Sequence, residues 1–351
     1  MSKKELKGVK EIARRAGVSI ATVDRVLHNR VGVSAKTREK INQIIEELDY
    51  QPNLMASRLA SGKILRLAAL IPSVSEETNF WEAPLKGIER AESEIRQYGV
   101  TIEKFLFDPN SRESFKNQGD KLLEGDFDGL IIAPSFLDET SELAAKCDKI
   151  KLTYLFIDSN IPGQNNLSYI GPPLFQSGYL GAKLLTYRLK SKRKVLVVNI
   201  SKEVENFSYN QIEAGFRSYF KDFKLENEIV RIDIRETDYE SVARHLTYVF
   251  HVHHNIEAVF VTNSRVFSVA SFLFNSHKKD IPLIGYDYLK ENVYYLNEGI
   301  IDFLICHKPE EQGYKGVMTL YQNLVLDYSV TKDYFMPIDI VTRENQEFYT
   351  N

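Results

Sequence analysis

The sequence has 351 residues, too many for one ordinary core, so two or three domains are expected. Its composition, 43% hydrophobic and 26% charged, is that of a soluble globular protein. Two cysteines, Cys147 and Cys306, exclude a disulfide framework or a Cys-rich zinc site and fit a reducing cytoplasm.

The net charge of −3 is unevenly spread. Residues 1–63 hold 13 Lys/Arg against 7 Asp/Glu, a net of +6, and the remainder holds 32 against 41, a net of −9. A basic head on an acidic body suggests that the head meets a polyanion. The opening Met1–Lys7 is polar with no apolar run behind it, so no secretory signal is expected. No apolar run approaches the roughly 20 residues that span a bilayer, so no membrane partner is expected.

The first helical pattern is Val9–Gly17, with Val9, Ile12, Ala13 and Ala16 on one face. Gly17 ends it, because a left-handed backbone is cheap only for glycine. Ser19 suits the N-cap of a second helix, Ile20 to about Leu27, whose Val23 and Val26 face the first. Such a pair, joined by a short turn, is a helix-turn-helix. The outer face of the second helix carries Ile20, Ala21, Thr22, Asp24 and Arg25, with His28 and Asn29 at its end. In a DNA-binding helix-turn-helix this face meets base edges. Arg25 suits guanine O6/N7, Ile20 and Ala21 suit thymine methyls, and Ser19 and Thr22 suit phosphate. A third helix opens at Ser34 and turns Ile41, Ile44, Ile45 and Leu48 inward; Tyr50-Gln51-Pro52-Asn53 and the run Leu54–Lys63 follow.

Taken together, Ala16-Gly17-Val18-Ser19, Thr22-Val23, Arg25-Val26, Val33–Lys40, Tyr50, Pro52-Asn53 and Leu59-Ala60 closely resemble the LacI/GalR headpiece. The resemblance implies that Ile20, Ala21 and Arg25 read bases and that Ser19, Thr22, Ser34, Thr37 and Asn53 lie near phosphates. Asp24 departs from the small serine often found there. A carboxylate facing DNA repels phosphate but can accept a bond from cytosine N4. Residues 53–61 resemble the family's hinge helix, which forms on DNA in the dimer; Leu59 matches its minor-groove wedge and Ala56 lies one turn earlier on the same face.

From Leu65 short apolar runs alternate with helical stretches. Strands are expected at Leu65–Ile71, Thr101–Phe107, Gly129–Ala133, Thr153–Asp158, Val195–Asn199, Ile229–Ile234, Ala258–Thr262 and Pro282–Tyr286. Helices are expected at Ala83–Tyr98, Ser111–Glu124, Leu174–Lys190, Ile212–Phe220, Tyr239–His253 and Phe267–Asn275. Alternation of this kind indicates doubly wound parallel sheets, and so many strands favour two lobes with ligand at the strand ends between them. Met336–Thr342 alternates like a closing strand.

Residues 65–351 resemble the periplasmic sugar-binding-protein fold that forms the family's effector domain. The landmarks are Asn79-Phe80-Trp81, Ile157-Asp158, Thr262-Asn263-Ser264, Ile284-Gly285-Tyr286-Asp287 and His307-Lys308-Pro309. The resemblance implies effector contacts from Phe80, Trp81, Asp158, Asn263, Asp287 and His307. Aromatic faces stack on a sugar ring and Asp and Asn bond its hydroxyls. Each has a plainer reading: lobe core for the aromatics, capping or loop positions for the Asp and Asn residues, a satisfied hinge residue for His307. Ile212 stands where family members often carry an arginine, and Arg265 or Arg217 is a possible substitute.

The expected architecture is therefore an all-α helix-turn-helix headpiece (1–52), a hinge (53–63) and a two-lobed α/β body (64–351). Lobe one would comprise about 64–172 and 308–336, lobe two about 173–307 and 337–351. No Walker motif, Gly-x-Gly-x-x-Gly or Gly-x-Ser-x-Gly elbow is present, and His251, His253 and His254 lack an acidic or Cys partner at ligand spacing. The chain reads as a cytoplasmic bacterial transcription regulator. It would bind double-stranded operator DNA as a homodimer, repress carbohydrate-use genes by family default, and answer to a sugar-like effector. No catalytic residue, cofactor or metal is expected. A secreted sugar-binding protein and a sugar-modifying enzyme are the competing readings.

Overall fold

The computed structural model describes residues 8–27, 30–48, 50, 64–75, 79–190, 192–202 and 207–351. The chain separates into two compact units, residues 1–62 and 63–351. The expected roles of Asn29, Asn53, Ala56 and Leu59 fall outside the described residues.

The first unit holds three helices: α1 (Val9–Ala16), α2 (Ile20–Leu27) and α3 (Ala35–Glu47). Gly17 closes α1 at φ 72°, and its N–H returns to the Ala13 carbonyl at 3.0 Å. Ile12, Ala13, Ala16, Val23, Val26, Ile41 and Ile44 form the buried core, with Val18, Val33 and Tyr50 packed on it. From α3, Lys40 Nζ donates to the Ala16 carbonyl at 3.0 Å, so a cation serves the negative end of α1.

The second unit holds two six-stranded sheets. The first is built from β1 (Leu65–Pro72), β2 (Val100–Phe107), β3 (Gly129–Ile132), β4 (Thr153–Ile157), β5 (Tyr169–Gly171) and β11 (Asp333–Phe335). The second holds β6 (Lys194–Ile200), β7 (Glu228–Ile234), β8 (Ile256–Val261), β9 (Leu283–Tyr286), β10 (Phe303–Cys306) and β12 (Asp339–Val341). Their orders, β11-β5-β4-β3-β1-β2 and β12-β10-β9-β8-β6-β7, repeat the same winding. Pairing is parallel throughout except β10 with β12. Central strands such as β1, β6 and β8 are buried nearly end to end, as helices on both faces demand. The closing strand, expected over Met336–Thr342, is limited to Asp339–Val341.

The helices are α4 (Glu82–Ile95), α5 (Arg112–Leu123), α6 (Leu137–Ile150), α7 (Leu174–Thr186), α8 (Phe207–Asp222), α9 (Tyr239–Val252), α10 (Val266–Asn275), α11 (Lys290–Asn297) and α12 (Pro309–Leu326). Each lobe contains one helix crossing in which backbones touch. A Cβ added to Gly87 of α4 would lie 1.8 Å from the Glu310 carbonyl oxygen of α12, and one on Gly313 would lie 2.1 Å from that of Pro84. In the other lobe a Cβ on Gly178 of α7 would lie 1.8 Å from the Ile212 oxygen of α8, and one on Gly215 would lie 1.9 Å from that of Phe175. These reciprocal pairs fix both crossings at a distance no larger residue permits. They also set α4, which Phe80 and Trp81 of the cavity immediately precede, and α8, whose first turn carries cavity residues.

Candidate functional site

The N-terminal unit presents its recognition face outward. Ile20, Ala21 and Arg25 of α2 are exposed, while Val23 and Val26 are buried beneath them. Ser19 Oγ accepts from the Thr22 N–H at 3.2 Å and shares a 2.9 Å hydroxyl contact with Thr22. Ser34 and Thr37 repeat this at the start of α3, at 3.2 Å and 2.8 Å. Each hydroxyl pair spends one hydrogen internally, which leaves the other for an anion at a helix N-terminus. The carboxylate of Asp24 receives a 3.2 Å bond from Arg30 Nη1. The sequence reading of Asp24 missed this cation, which lies six residues on in the loop before α3.

In the body, a cavity of about 150 Å³ lies between the lobes, and Phe80, Trp81, Asp158, Asn263, Asp287 and His307 all line it. One water requires roughly 10–15 Å³ on this scale, so the space suits about ten to fifteen heavy atoms. Asp158 follows β4 and Asp287 follows β9, with left-handed backbones at φ 66° and 73°. Both turns are tied down. Tyr169 Oη donates to the carbonyls of Asp158 and Pro172 at 3.1 and 2.8 Å. Asn292, fully buried, directs Nδ2 at the carbonyls of Ser264, Tyr286 and Asp287 at 3.0, 3.0 and 2.9 Å.

Burial raises the Asp158 carboxyl to about 7, with a bond from Ser159 pulling the other way. Burial and the charge of Asp158 push Asp287 well above the carboxylate range. Burial lowers His307 to about 3, so its imidazole is neutral. His307 is 5% exposed, its ring lies 5.6 Å from that of Tyr286, and its Nε2 has no hydrogen-bond partner among the described residues. The rings of Phe80 and Trp81 meet edge to face at 5.1 Å.

Asn263 lines the cavity with its amide already engaged. Its Nδ2 donates to the Ile200 carbonyl at 2.8 Å and its Oδ1 accepts from the Arg265 N–H at 3.1 Å. It therefore holds the loop after β8. Of the two arginines considered as substitutes at the Ile212 position, Arg265 lines the cavity and its Nη1 donates to the Ile200 carbonyl at 3.0 Å. Arg217 does not line it: it is exposed and its Nε donates to Glu213 at 2.7 Å.

The sequence reading missed Ser208 and Tyr209, which also line the cavity. It expected α8 to begin at Ile212, whereas the helix begins at Phe207. Ser208 shares a buried 2.6 Å hydroxyl contact with Ser159, joining the lobes directly. Thr262 and Tyr286, also in the lining, stand at the same strand ends as Asn263 and Asp287, which the family resemblance singled out in their place.

Residues 8–53 match the model of the lacI family of bacterial regulatory proteins, and residues 68–325 match the periplasmic binding protein domain. The chain belongs to the periplasmic binding protein domain family and carries a lacI-family domain ahead of it. Its headpiece and its two-sheet body correspond to the two parts of that architecture. The catabolite control protein A of Staphylococcus aureus (strain Mu50 / ATCC 700699) is 32% identical over 135 residues, 38% of this chain and 39% of that protein. The Staphylococcus xylosus protein of the same name is 30% identical over 129 residues, 37% of each chain. The match thus spans about two fifths of these relatives' length.

Among solved structures, one from Bacteroides fragilis assigned to the LacI transcriptional regulators superposes with TM-score 0.77 at 28% identity, covering 82% of this chain and all of that one. GanP, a glucose-galactose binding protein from Geobacillus stearothermophilus, gives 0.73 at 20% identity, covering 81% of this chain and 99% of its own. An ABC transporter solute binding protein from Burkholderia graminis, in complex with D-arabinose, gives 0.74 at 19% identity, covering 83% and 99%. At that identity the last two establish the fold alone. Among the described residues no helix is long and apolar enough to cross a membrane, and no group of His, Cys, Asp or Glu stands ready for a metal.

Proposed function

We propose that this chain is an effector-controlled repressor of carbohydrate-use genes, acting as a homodimer on a pseudo-palindromic operator in the bacterial cytoplasm, at the nucleoid. The headpiece is residues 1–52, with Ser19, Ile20, Ala21, Thr22, Arg25, Asn29, Ser34 and Thr37 toward DNA. Residues 53–63, which lie outside the described residues, are assigned the role of a hinge, with Asn53, Ala56 and Leu59 toward DNA. The body is 64–351, with lobe one at about 64–172 and 308–336 and lobe two at about 173–307 and 337–351.

The observation that carries the reading is the cavity of about 150 Å³ between two lobes, lined from both by Asp158, Asp287 and His307, in a chain whose helix-turn-helix exposes Arg25. The likeness to the glucose-galactose and D-arabinose binding proteins supports a sugar or sugar derivative as effector. The reading gives the body a binding role with no catalytic step and no cofactor. The effector shifts the DNA-binding equilibrium by its differential affinity for two lobe arrangements and no more.

Selection of random-sequence duplex DNA on the full chain tests this. Enrichment of an inverted repeat, with affinity falling as salt rises, is expected. Recovery of no common sequence would overturn the operator reading. Thermal unfolding of the full chain against sugars then tests the cavity, since a ligand that binds only the folded state raises the midpoint.

A further inference from the structure

We propose that a buried polar chain, Glu213–Arg231–Asp233–Asn199–Thr262, sets the position of the cavity wall supplied by α8, with Glu213 and Arg231 as its positioning residues. This rests on the cavity being the effector site and adds what holds one wall of it in place.

The helix α8 gives Ser208, Tyr209 and Ile212 to the cavity. It packs on its sheet through Ile212, Phe216 and Phe220, which share a core with Val195 and Val197 of β6. Glu213 stands among these apolar residues at 5% exposure. Its Oε2 meets Arg231 Nη1 of β7 at 3.0 Å, and its Oε1 accepts from Arg217 Nε at 2.7 Å. Arg231 Nε donates in turn to both Asp233 oxygens, at 3.1 and 3.0 Å. Two residues apart on β7, Arg231 and Asp233 lie on one face of the sheet. Asp233 stands opposite Asn199 of β6 in the strand register and accepts from its Nδ2 at 2.8 Å. Asn199 Oδ1 accepts from Thr262 Oγ1 at the end of β8. Thr262 is 1% exposed and lines the cavity. The chain of contacts therefore leaves the cavity at α8, crosses the neighbouring strands β7, β6 and β8, and returns to the cavity at Thr262.

Packing alone does not call for this. Burying a carboxylate costs free energy that its ion pairs only partly return, and an apolar side chain of similar volume often serves stability as well or better. Charged hydrogen bonds supply direction and length instead. Apolar contact is non-directional, so Ile212, Phe216 and Phe220 tolerate a small slide or rotation of the helix. A carboxylate gripped by two guanidinium groups admits one register. Glu213 directly follows Ile212 and lies one turn beyond Tyr209, so its register is that of the wall.

Trp81, the only tryptophan in the sequence, lines the same cavity from the other lobe. Acrylamide quenching of its emission reads access to the cavity with no effector needed. In the full chain, Glu213→Met combined with Arg231→Met should raise the quenching constant about twofold while the urea midpoint stays at or above the parent's. Glu213→Gln keeps the side-chain length and removes the charge. It should act in the same direction, and it carries the test if the double variant does not fold. Titration with D-glucose, D-galactose and D-arabinose should show about tenfold weaker binding, in the variants, of whichever sugar the parent binds. Unchanged quenching in the folded variants, or unchanged sugar affinity, overturns the proposal. Quenching that rises only as the urea midpoint falls makes the chain of contacts a plain support of folding and overturns it too. Should the parent bind none of the three sugars, the sugar reading of the site loses its support, and quenching alone decides the positioning role.

Discussion

Asp158 and Asp287 occupy the same place in the two halves of the body. Each follows the third strand of its sheet order, each holds a left-handed backbone, and each lines the one cavity from its own side. A left-handed non-glycine residue costs on the order of 1–3 kcal/mol, less for aspartate, and survives where neighbours fix it. Tyr169 and Asn292 are those neighbours. The duplicated turn therefore stores local strain where binding is proposed, offset by hydrogen bonds behind it.

The Asp158 carboxyl should make the body less stable as pH rises. Its folded pKa stands at about 7, above its ordinary 3.8. The stability it contributes is fully present below about 3.8 and is lost as pH rises through about 7. Asp158→Asn removes this dependence. Each pH unit between the two pKa values is worth at most roughly 1.4 kcal/mol. The melting midpoint of the variant should therefore overtake that of the parent by several degrees between about pH 5 and 7.5. Parallel midpoint curves for the two proteins across that range would show that the carboxyl is not held in its protonated form.

The Gly178 contact predicts a different kind of loss. A Cβ there meets a backbone oxygen at 1.8 Å, so α7 and α8 must part. Gly178→Ala should cost at least about 1–3 kcal/mol, the usual range for overpacking, because no flexible side chain can yield. Urea unfolding at neutral pH reads it as a lower midpoint. The shift of α8 should also displace Ser208 and Tyr209, so sugar-induced stabilisation should weaken more than stability alone requires. An unchanged urea midpoint would contradict the crossing.

The sequence made much of this legible, and its failures have physical causes. Runs such as Leu65–Ile71 and Ala258–Thr262 are apolar enough to mark strands buried on both faces, and the structure places β1 and β8 within one or two residues of them. The cavity aspartates were reached through the family resemblance, which agrees with ligands meeting doubly wound sheets at their strand ends. The strands β5 and β11 have three residues each and give no periodicity. The helix α12 starts with Pro309 and mixes polar and apolar residues around its circumference, so the sequence marks its start and not its length. At α8 the helix begins one turn before the apolar stripe that revealed it, which hid Ser208 and Tyr209. The lone Nε2 of His307 and the Asp24–Arg30 pair are products of tertiary placement and have no sequence signal.

Arg25 is the exposed cation of the recognition helix, standing over buried Val23 and Val26. Arg25→Ala should cost about 1–3 kcal/mol on the selected operator and little on random duplex, as for a bidentate base contact. Fluorescence anisotropy on both DNAs over a salt series separates these effects. Equal losses on both would make Arg25 a phosphate contact.

Arg30 supplies the last prediction. Its bond to Asp24 at 3.2 Å offsets a carboxylate on the helix proposed to meet DNA. Both side chains are substantially exposed, so the pair adds little to folding stability. Its consequence is for binding: Arg30→Ala removes one cation from beside Asp24 on a helix proposed to meet phosphates. Affinity for any duplex should fall, and the dependence of log affinity on log salt should flatten by about one unit. Asp24→Asn in the same background should restore part of the affinity by removing the repulsion. Full affinity in Arg30→Ala, or no recovery on adding Asp24→Asn, would show that this ion pair lies away from the DNA.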